Sequence, residues 1–141
     1  MILDTTYSNK VNVELINDLV GKPYSIIKSI RMNSIGSKRM IIEEVSLNMK
    51  QYINVVDDVS YANIELRPLG ILIRINKALK NYTWVIPYYQ LVIYKSNLRS
   101  IHAQGRYIRF KNSITLKENK LFFNKLLDLK AKYEAKYPVK P

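Results

Sequence analysis

Residues 61–76, with the sequence "YANIELRPLGILIRIN", contain the pattern from which the fold is predicted. In the first half every second residue is apolar, namely Ala62, Ile64 and Leu66. In the second half the apolar residues of one face are Ile71, Ile73 and Ile75. Between the halves, Pro68 and Gly70 take the second and fourth places of a four-residue turn. Because residues at every second position share one face of a strand, this stretch predicts an antiparallel hairpin with one buried face.

Residues 82–96, "YTWVIPYYQLVIYKS", hold five of the fifteen aromatic residues of the chain. Pro87 has no N–H to donate and fixes its own φ, so this stretch cannot be one uninterrupted central strand. Beyond the break, apolar residues occupy both faces, which predicts a strand covered on both sides. We expect most of the rings to pack in the core rather than form an exposed stacking platform. Tyr88 and Tyr94, beside Gln90, are predicted to expose their rings or hydroxyls.

Residues 106–111, "RYIRFK", are predicted to form the last strand, paired with a strand in the residues just before them. Strict alternation puts Ile108 and Phe110 on one face. The other face carries Tyr107, Arg109 and Lys111. This is the most basic face of the chain, and Arg99 and Arg106 lie close enough in the predicted hairpin to extend it.

The C-terminal segment predicts a helix over residues 115–137. Thr115 and Glu118 have the spacing of a capping box, in which each side chain accepts a hydrogen bond from the other residue's backbone N–H. Apolar residues then recur at intervals of three or four, and they are Phe122, Leu126, Leu129, Tyr133 and Tyr137. Pro138 ends the helix. We expect this apolar stripe to pack on the sheet.

Before the hairpin the pattern is less regular. A short helix is predicted over residues 12–20, with Gly21 suited to a left-handed stop. Residues 24–32 suit a further helical turn or two, and residues 39–47, "RMIIEEVSL", suit either a short strand or a helix. Residues 51–58, "QYINVVDD", suit a strand.

The charge divides the chain unevenly near residue 48. Residues 1–48 hold six Lys or Arg against five Asp or Glu, whereas residues 49–141 hold seventeen against six. We therefore expect residues 1–48 to be an N-terminal appendage or extension, or a partly ordered arm, and residues 49–141 to be the main domain. Met49 is also a candidate for the natural start of the protein.

The sequence contains no recognisable catalytic or metal-binding pattern. The chain has no cysteine, which excludes disulfides, thiolate metal sites and cysteine nucleophiles. Its one histidine, His102, has no motif around it, and a structural role is favoured over that of a general base. Asp57 and Asp58 are adjacent, so on a strand they point to opposite faces, and a turn before Ser60 is the better interpretation. No glycine-rich phosphate loop or nucleophile elbow occurs, so we expect no enzyme activity, cofactor or metal.

Two features of the sequence bear on location. The chain has no run of about 18 apolar residues, which predicts no transmembrane segment. Its first residues, "MILDTTYSNK", lack the basic-then-apolar order of a secretory signal. We therefore expect a cytoplasmic protein.

Short antiparallel strands followed by one amphipathic helix give the element order of a pleckstrin-homology-like barrel. Residues 64–110, "IELRPLGILIRINKALKNYTWVIPYYQLVIYKSNLRSIHAQGRYIRF", resemble small bacterial proteins with this fold, and Gly70, Trp84 and Ile86 carry the resemblance. It covers about residues 50–137. It implies an α+β fold that is mainly antiparallel β: a pleckstrin-homology-like barrel or strongly bent sheet, closed by a C-terminal amphipathic helix.

The same resemblance bears on function, because the fold is typically a binding scaffold. The basic residues that bind inositol phosphates in eukaryotic members are matched loosely by Arg74, Lys77 and Lys80. The tryptophan usual in the C-terminal helix of those members is absent here. The resemblance therefore implies a non-catalytic interaction module that binds an acidic protein, a peptide or an anionic headgroup through a basic face.

The candidate binding residues are Arg99, Arg106, Arg109, Lys111, Tyr107, Lys77 and Lys80. The alternative is a nucleic-acid-binding protein that uses Arg99, Arg106, Arg109 and Lys111 on phosphates and a tyrosine, Tyr88, Tyr94 or Tyr107, for stacking. The same charges also suit a solvated strand whose lysines and arginines discourage edge-to-edge aggregation. The sequence leaves these three interpretations open.

Overall fold

The computed structural model describes residues 1–54, 59–94 and 97–138 of the chain. The strands in these residues are β1 (Ile2–Asp4), β2 (Met40–Val45), β3 (Tyr61–Arg67), β4 (Gly70–Lys77), β5 (Lys80–Pro87), β6 (Val92–Tyr94), β7 (Asn97–Ala103) and β8 (Arg106–Phe110). The α-helices are α1 (Lys10–Val20), α2 (Ile26–Arg31), α3 (Ile114–Glu118) and α4 (Lys120–Lys136), and short 3-10 helices occupy Leu47–Tyr52 and Tyr88–Gln90. The predicted α+β class is confirmed.

The strands form one antiparallel sheet in the order β1-β5-β4-β3-β2-β8-β7-β6. Its first predicted unit, the hairpin of β3 and β4, is confirmed: Arg67 pairs with Gly70 across a two-residue turn, and Ile64 pairs with Ile73. In the described residues, β1 and β6 are the two edges and do not pair with each other, so the sheet is not closed into a barrel.

One face of the sheet, the inner face, carries the main core. The alternating apolar residues of β3, β4 and β5, among them Ile64, Ile73 and Trp84, are fully buried there. Phe122 and Leu126 of α4 belong to the same cluster. The predicted docking of the C-terminal helix on the sheet is therefore confirmed, and burial of this apolar surface is what holds the two together.

The predicted single helix over residues 115–137 is instead two helices that meet at Asn119. The buried Asn119 side chain accepts a hydrogen bond from the backbone N of Lys38 (2.8 Å) and donates one to the carbonyl O of Lys38 (3.1 Å). The capping box is wrong: Thr115 lies inside α3 with its hydroxyl 2.9 Å from that of Ser113, and the Glu118 carboxylate pairs with the Lys38 ammonium at 3.2 Å. The tertiary contact to Lys38 therefore decides where the helix breaks.

The break at Pro87 is confirmed, since β5 ends there and a 3-10 turn follows. Tyr88 in that turn is only 1% exposed, and its hydroxyl donates to the carbonyl O of Arg67 at 3.0 Å. The predicted exposure of Tyr88 is therefore wrong, whereas that of Tyr94 is confirmed. The predicted strand covered on both faces is also wrong, because β6 has three residues and lies at the sheet edge, where Val92 is exposed.

Most of the patterns before the hairpin form the elements expected of them. The helix over residues 12–20 begins at Lys10 and ends at Val20, and Gly21 is its C-cap with a φ of +87°. Residues 39–47 take the strand alternative as β2. The predicted strand in residues 51–58 lies partly outside the described residues, as do Asp57 and Asp58, and its first residues belong to a 3-10 helix.

The strand β2 bears directly on the division at residue 48. It lies between β3 and β8 and pairs with both, so Met40 is opposite Ala62 and Val45 is opposite Ile108. Both Met40 and Val45 are buried in the main core. A boundary at residue 48 would therefore remove a strand from the middle of the sheet.

Gly70, which carries part of the fold resemblance, lies where β4, β5 and α1 meet. A Cβ atom at this position would lie 2.3 Å from the carbonyl O of Ile86 and 2.6 Å from Cγ1 of Val20. Both distances are far below a van der Waals contact, so the close approach of α1 to the sheet requires glycine here.

Candidate functional site

The outer face of the sheet is the one opposite the main core, and α1 covers only part of it. Ile16 and Val20 of α1 pack on Leu72 of β4 and Val85 of β5 in a second, smaller apolar cluster. Further along these strands from Leu72 and Val85, the outward-facing residues are polar. Asn63, Arg74 and Thr83 lie opposite one another on β3, β4 and β5, and Asn76 lies opposite Asn81. The helix thus covers the apolar part of this face and leaves the polar part open.

The open part is the floor of a cleft of about 570 Å³. We call it the polar cleft; its floor is Asn63, Arg74, Asn76, Asn81 and Thr83, and its walls include Asn9, Asn12, Asn17 and Arg67. A volume of this size lies in the range of small-molecule binding sites. Most of its lining residues are polar and six of them are asparagines, while Val13, Ile16 and Pro23 add apolar surface to the wall.

Hydrogen bonds hold the wall of the polar cleft in place. The Asn9 side chain accepts from the backbone N of Val11 at 2.8 Å and so caps α1. The Asn12 amide donates to the carbonyl O of Asp4 at 3.2 Å. The Thr5 hydroxyl lies 2.7 Å from that of Thr83 on the floor. The segment that leads from β1 into α1 is therefore tied both to the helix and to the sheet.

Two arginines and one glutamate set the electrostatics of the polar cleft. The Glu65 carboxylate accepts from Nε of Arg67 at 2.6 Å and from Nη1 of Arg74 at 2.8 Å. Burial alone would raise the pKa of Glu65, but the hydrogen bonds and charges of Arg67 and Arg74 outweigh it and lower the pKa. Glu65 is therefore ionised at neutral pH, and the three side chains together carry one net positive charge.

The two arginines differ in how much of their hydrogen-bonding capacity is used. Arg67 is buried, and its Nη1 also donates to Oδ1 of Asn17 (3.2 Å) and to the carbonyl O of Gly21 (2.9 Å). The Arg74 side chain is 40% exposed, and its Nε and Nη2 form no hydrogen bond to any residue that the structure describes. The ion pair of Arg67 with Glu65 is therefore structural. Arg74, in contrast, keeps free hydrogen-bond donors at the cleft.

Three of the residues predicted from sequence to bind an anion, Arg99, Arg109 and Tyr107, lie together in the structure. They surround two carboxylates, those of Glu43 and Glu44. Arg109 pairs with Glu43 (Nε to Oε2, 3.1 Å) and with Glu44, Arg99 lies 3.6 Å from Glu43, and the Tyr107 hydroxyl donates to Glu44 at 2.7 Å. A register shift in β2 between Ile42 and Glu44 puts two residues against one of β8, which is how both glutamates reach Arg109. These cations are therefore largely neutralised.

The remaining predicted site residues, Arg106, Lys111, Lys77 and Lys80, form no hydrogen bond or ion pair with Glu43 or Glu44 among the described residues. Arg106 donates to the carbonyl O of Asn48, and Lys77 donates to the carbonyl O of Gln51 at 2.7 Å. Lys80 is exposed at the turn between β4 and β5, and Lys111 is exposed after β8. The contacts to Glu43 and Glu44 thus join three of the seven predicted residues.

A basic and apolar surface that the sequence interpretation missed lies on α2. Ile26, Ile27 and Ile30 are 81%, 66% and 70% exposed, and none of the six residues of α2, all described, is buried. We call this the α2 surface; it consists of these isoleucines with Lys22, Lys28 and Arg31. The chain has no Asp or Glu between Asp18 and Glu43. The sequence signal that could have revealed this surface is three isoleucines beside cations with no carboxylate close by in the chain.

His102 lies between aromatic rings rather than beside a nucleophile. Its ring centroid is 5.6 Å from that of Tyr94 and 5.5 Å from that of Tyr107. Residues 1–54, 59–94 and 97–138 contain no group of three His, Asp or Glu side chains placed to hold a metal ion. None of the helices in those residues is long and apolar enough to cross a membrane.

In comparisons with protein-family models, curated proteins and solved structures, none matches this chain. The function is therefore inferred from the geometry of its own surfaces.

Proposed function

We propose that this protein is a non-catalytic interaction module that docks on an anionic lipid surface through the α2 surface. The observation that carries the proposal is the exposure of Ile26, Ile27 and Ile30 on one short helix among Lys22, Lys28 and Arg31. Contiguous exposed apolar residues on a small domain are typical of interaction sites.

The chemistry of the α2 surface favours a membrane over an acidic protein or peptide. Cations attract anionic headgroups, and apolar side chains gain free energy by entering the boundary between headgroups and acyl chains. An acidic peptide without apolar side chains would pair with Lys28 and Arg31 but would leave the isoleucines exposed. An anionic lipid surface accommodates both kinds of side chain at once.

The basic face of β8, from which an anionic partner was predicted, is the weaker candidate. Arg99 and Arg109 already pair with Glu43, and Glu44 takes a second bond from Arg109 and one from Tyr107. Phosphate binding there would have to displace these carboxylates. The same observation disfavours the nucleic-acid alternative, because Arg99 and Arg109 are two of its four phosphate-binding residues and Tyr107 is one of its three stacking candidates.

The proposal includes a pleckstrin-homology-like arrangement for the main part of the sheet. Seven antiparallel strands, β2 to β8, are followed by α4 on the inner face. This is the element order from which the resemblance was predicted. The strand β1 and the helices α1 and α2 would then be additions that precede it.

The proposal is tested by sedimentation with vesicles of phosphatidylcholine, with and without phosphatidylserine, at low and high salt. We expect binding only to the anionic vesicles, weakened by salt. Reversing two charges, Lys28→Glu with Arg31→Glu, should weaken binding by at least about 30-fold, since each cation contributes roughly 1 kcal/mol. Ile27→Ser with Ile30→Ser should weaken it by about tenfold or more.

The matched control is Leu79→Ser, which removes an equally exposed apolar side chain at the turn between β4 and β5. This variant should bind vesicles as the wild type does. Equal binding of the wild type to neutral vesicles, or full binding by the charge-reversed variant, would overturn the proposal. Binding to single-stranded RNA or to an acidic peptide, but not to vesicles, would favour the corresponding alternative.

A further inference from the structure

We propose that the polar cleft is a second binding site, one for a small monocarboxylate that also carries an amide or hydroxyl group. Arg74 would hold the carboxylate, and the asparagines of the floor would hold the neutral polar part of the ligand. This site is separate from the α2 surface and does not depend on the docking of that surface to lipid.

The free donors of Arg74 are the first support. Its Nη1 is fixed by Glu65, while Nε and Nη2 have no partner in the described residues and the side chain is partly exposed to the polar cleft. The salt bridge at one nitrogen holds the guanidinium in position. A planar guanidinium with two free donors is suited to bidentate binding of a carboxylate.

The charge of the polar cleft supports a monoanion. Arg67 and Arg74 are balanced in part by Glu65, which leaves one positive charge. One carboxylate neutralises this charge. A phosphate dianion would exceed it by one negative charge, and Glu65, within hydrogen-bond distance of Arg74, repels a dianion about twice as strongly as a monoanion at the same distance.

The asparagines of the floor support a ligand with further polar groups. The side-chain amides of Asn63, Asn76 and Asn81 form no hydrogen bond to the residues that the structure describes. Each amide offers both donors and an acceptor. Three such amides beside Arg74 match the donors and acceptors of an amide or a hydroxyl next to a carboxylate.

The polar cleft is also formed before any ligand binds. Its wall is held by the Asn9 cap, the contact of Asn12 with Asp4 and the contact of Thr5 with Thr83. Binding would therefore order few additional side chains, which lowers its entropic cost.

The test is an NMR titration of the ¹⁵N-labelled full chain with three probes. N-acetylglycine carries a carboxylate and an amide, N-acetylglycinamide is its neutral counterpart, and inorganic phosphate is the competing anion. We expect saturable shifts from N-acetylglycine in the side-chain signals of Asn63, Asn76, Asn81 and Arg74. The neutral probe should produce none, and phosphate should bind more weakly than N-acetylglycine.

Two variants test the role of the named side chains. Arg74→Gln should weaken binding of N-acetylglycine at least about tenfold, as expected for loss of a charged hydrogen-bond donor. Asn76→Ala alters an exposed floor residue without a structural contact, so it should fold normally and bind several-fold more weakly. Lys117→Gln, which removes one positive charge on α3, is the matched control and should bind as the wild type does.

Four outcomes would overturn the assignment. They are the absence of saturable shifts in the polar cleft, equal shifts with the neutral probe, tighter binding of phosphate than of N-acetylglycine, and full affinity in both Arg74→Gln and Asn76→Ala. If Arg74→Gln fails to fold, Asn76→Ala and the comparison of the three probes with the wild type still decide the matter.

Discussion

Replacing Gly70 by alanine tests the closest approach between α1 and the sheet. The added Cβ would lie 2.3 Å from the carbonyl O of Ile86, 2.6 Å from Cγ1 of Val20 and 2.8 Å from Cα of Pro87. Two of these three atoms belong to the backbone of β5. The clash therefore cannot be relieved by one side-chain rotation, and either β5 or α1 must move.

The size of the effect follows from these contacts. Overpacking of a well-packed core costs about 1–3 kcal/mol, and the backbone clash at Gly70 puts this site at the upper end of that range. Alanine reduces the conformational entropy of the unfolded chain, which offsets roughly 0.4–1 kcal/mol. We expect Gly70→Ala to lower the free energy of unfolding by about 2–3 kcal/mol. At roughly 2–4 °C per kcal/mol, the Tm should fall by about 4–12 °C.

The measurement is urea unfolding followed by circular dichroism, with the Tm as a second readout. The slope of the free energy with urea should stay unchanged, so that the midpoint reports stability. Gly36→Ala is the matched control, because a Cβ there meets only the carbonyl O of Ile64, at 4.0 Å. It should stay within about 0.5 kcal/mol of the wild type. A Gly70→Ala protein as stable as the wild type, or equal losses in both variants, would refute the steric reasoning.

Three further predictions concern the core, the N-terminal part and pH. Leu126→Ala should lower the free energy of unfolding by about 2–5 kcal/mol in urea because Leu126 is fully buried, and a loss below about 0.5 kcal/mol would contradict docking of α4. A chain truncated to residues 49–141 lacks β2 and should show no cooperative thermal transition; a transition near that of the full chain would mean that β2 is dispensable. The lowered pKa of Glu65 predicts stability that is present above the unfolded-state pKa of about 4.3 and is lost as pH falls through the folded-state value. Urea midpoints measured from neutral to acidic pH should therefore fall less steeply in Glu65→Gln, and an identical profile would argue against the contribution of this carboxylate.

The hairpin of β3 and β4 could be predicted because its determinants are local. Alternation assigns Ile64 and Ile73 to one face, and the turn at Pro68 fixes which residues pair. The end of β5 at Pro87 is local for the same reason, since a missing N–H acts at its own position. Where the interactions that determine an element lie within a few residues of each other in the chain, the sequence prediction agrees with the structure.

The failures arise where the decisive partner is distant in sequence. The helix breaks at Asn119 because its side chain bonds to Lys38, 81 residues away. The basic face of β8 was predicted from the charges of that strand alone. The acidic residues that pair with it, Glu43 and Glu44, come from β2, and the pairing of β2 with β8 was not predicted. Charge balance on a sheet depends on neighbouring strands as much as on the strand itself.

The polar cleft was missed for a related reason. Polar residues at the outward positions of β3, β4 and β5 are the normal pattern of a solvated face, and nothing in their spacing indicates a wall beside them. The wall depends on where α1 crosses the sheet, which is set by Leu72 and Val85 packing against Ile16 and Val20. The predicted division at residue 48 also assigned that helix to an appendage.

The partial cover that α1 gives to the outer face separates two kinds of position along a single strand. In β4 the inward isoleucines and the outward Leu72 stabilise the fold, whereas Asn76 points into the polar cleft and contributes little to packing. Substitutions at Asn63, Asn76 and Asn81 can therefore alter what the cleft accepts at small cost in stability. At the proposed cleft site, the binding residues can therefore be redesigned in the laboratory while the core stays unchanged.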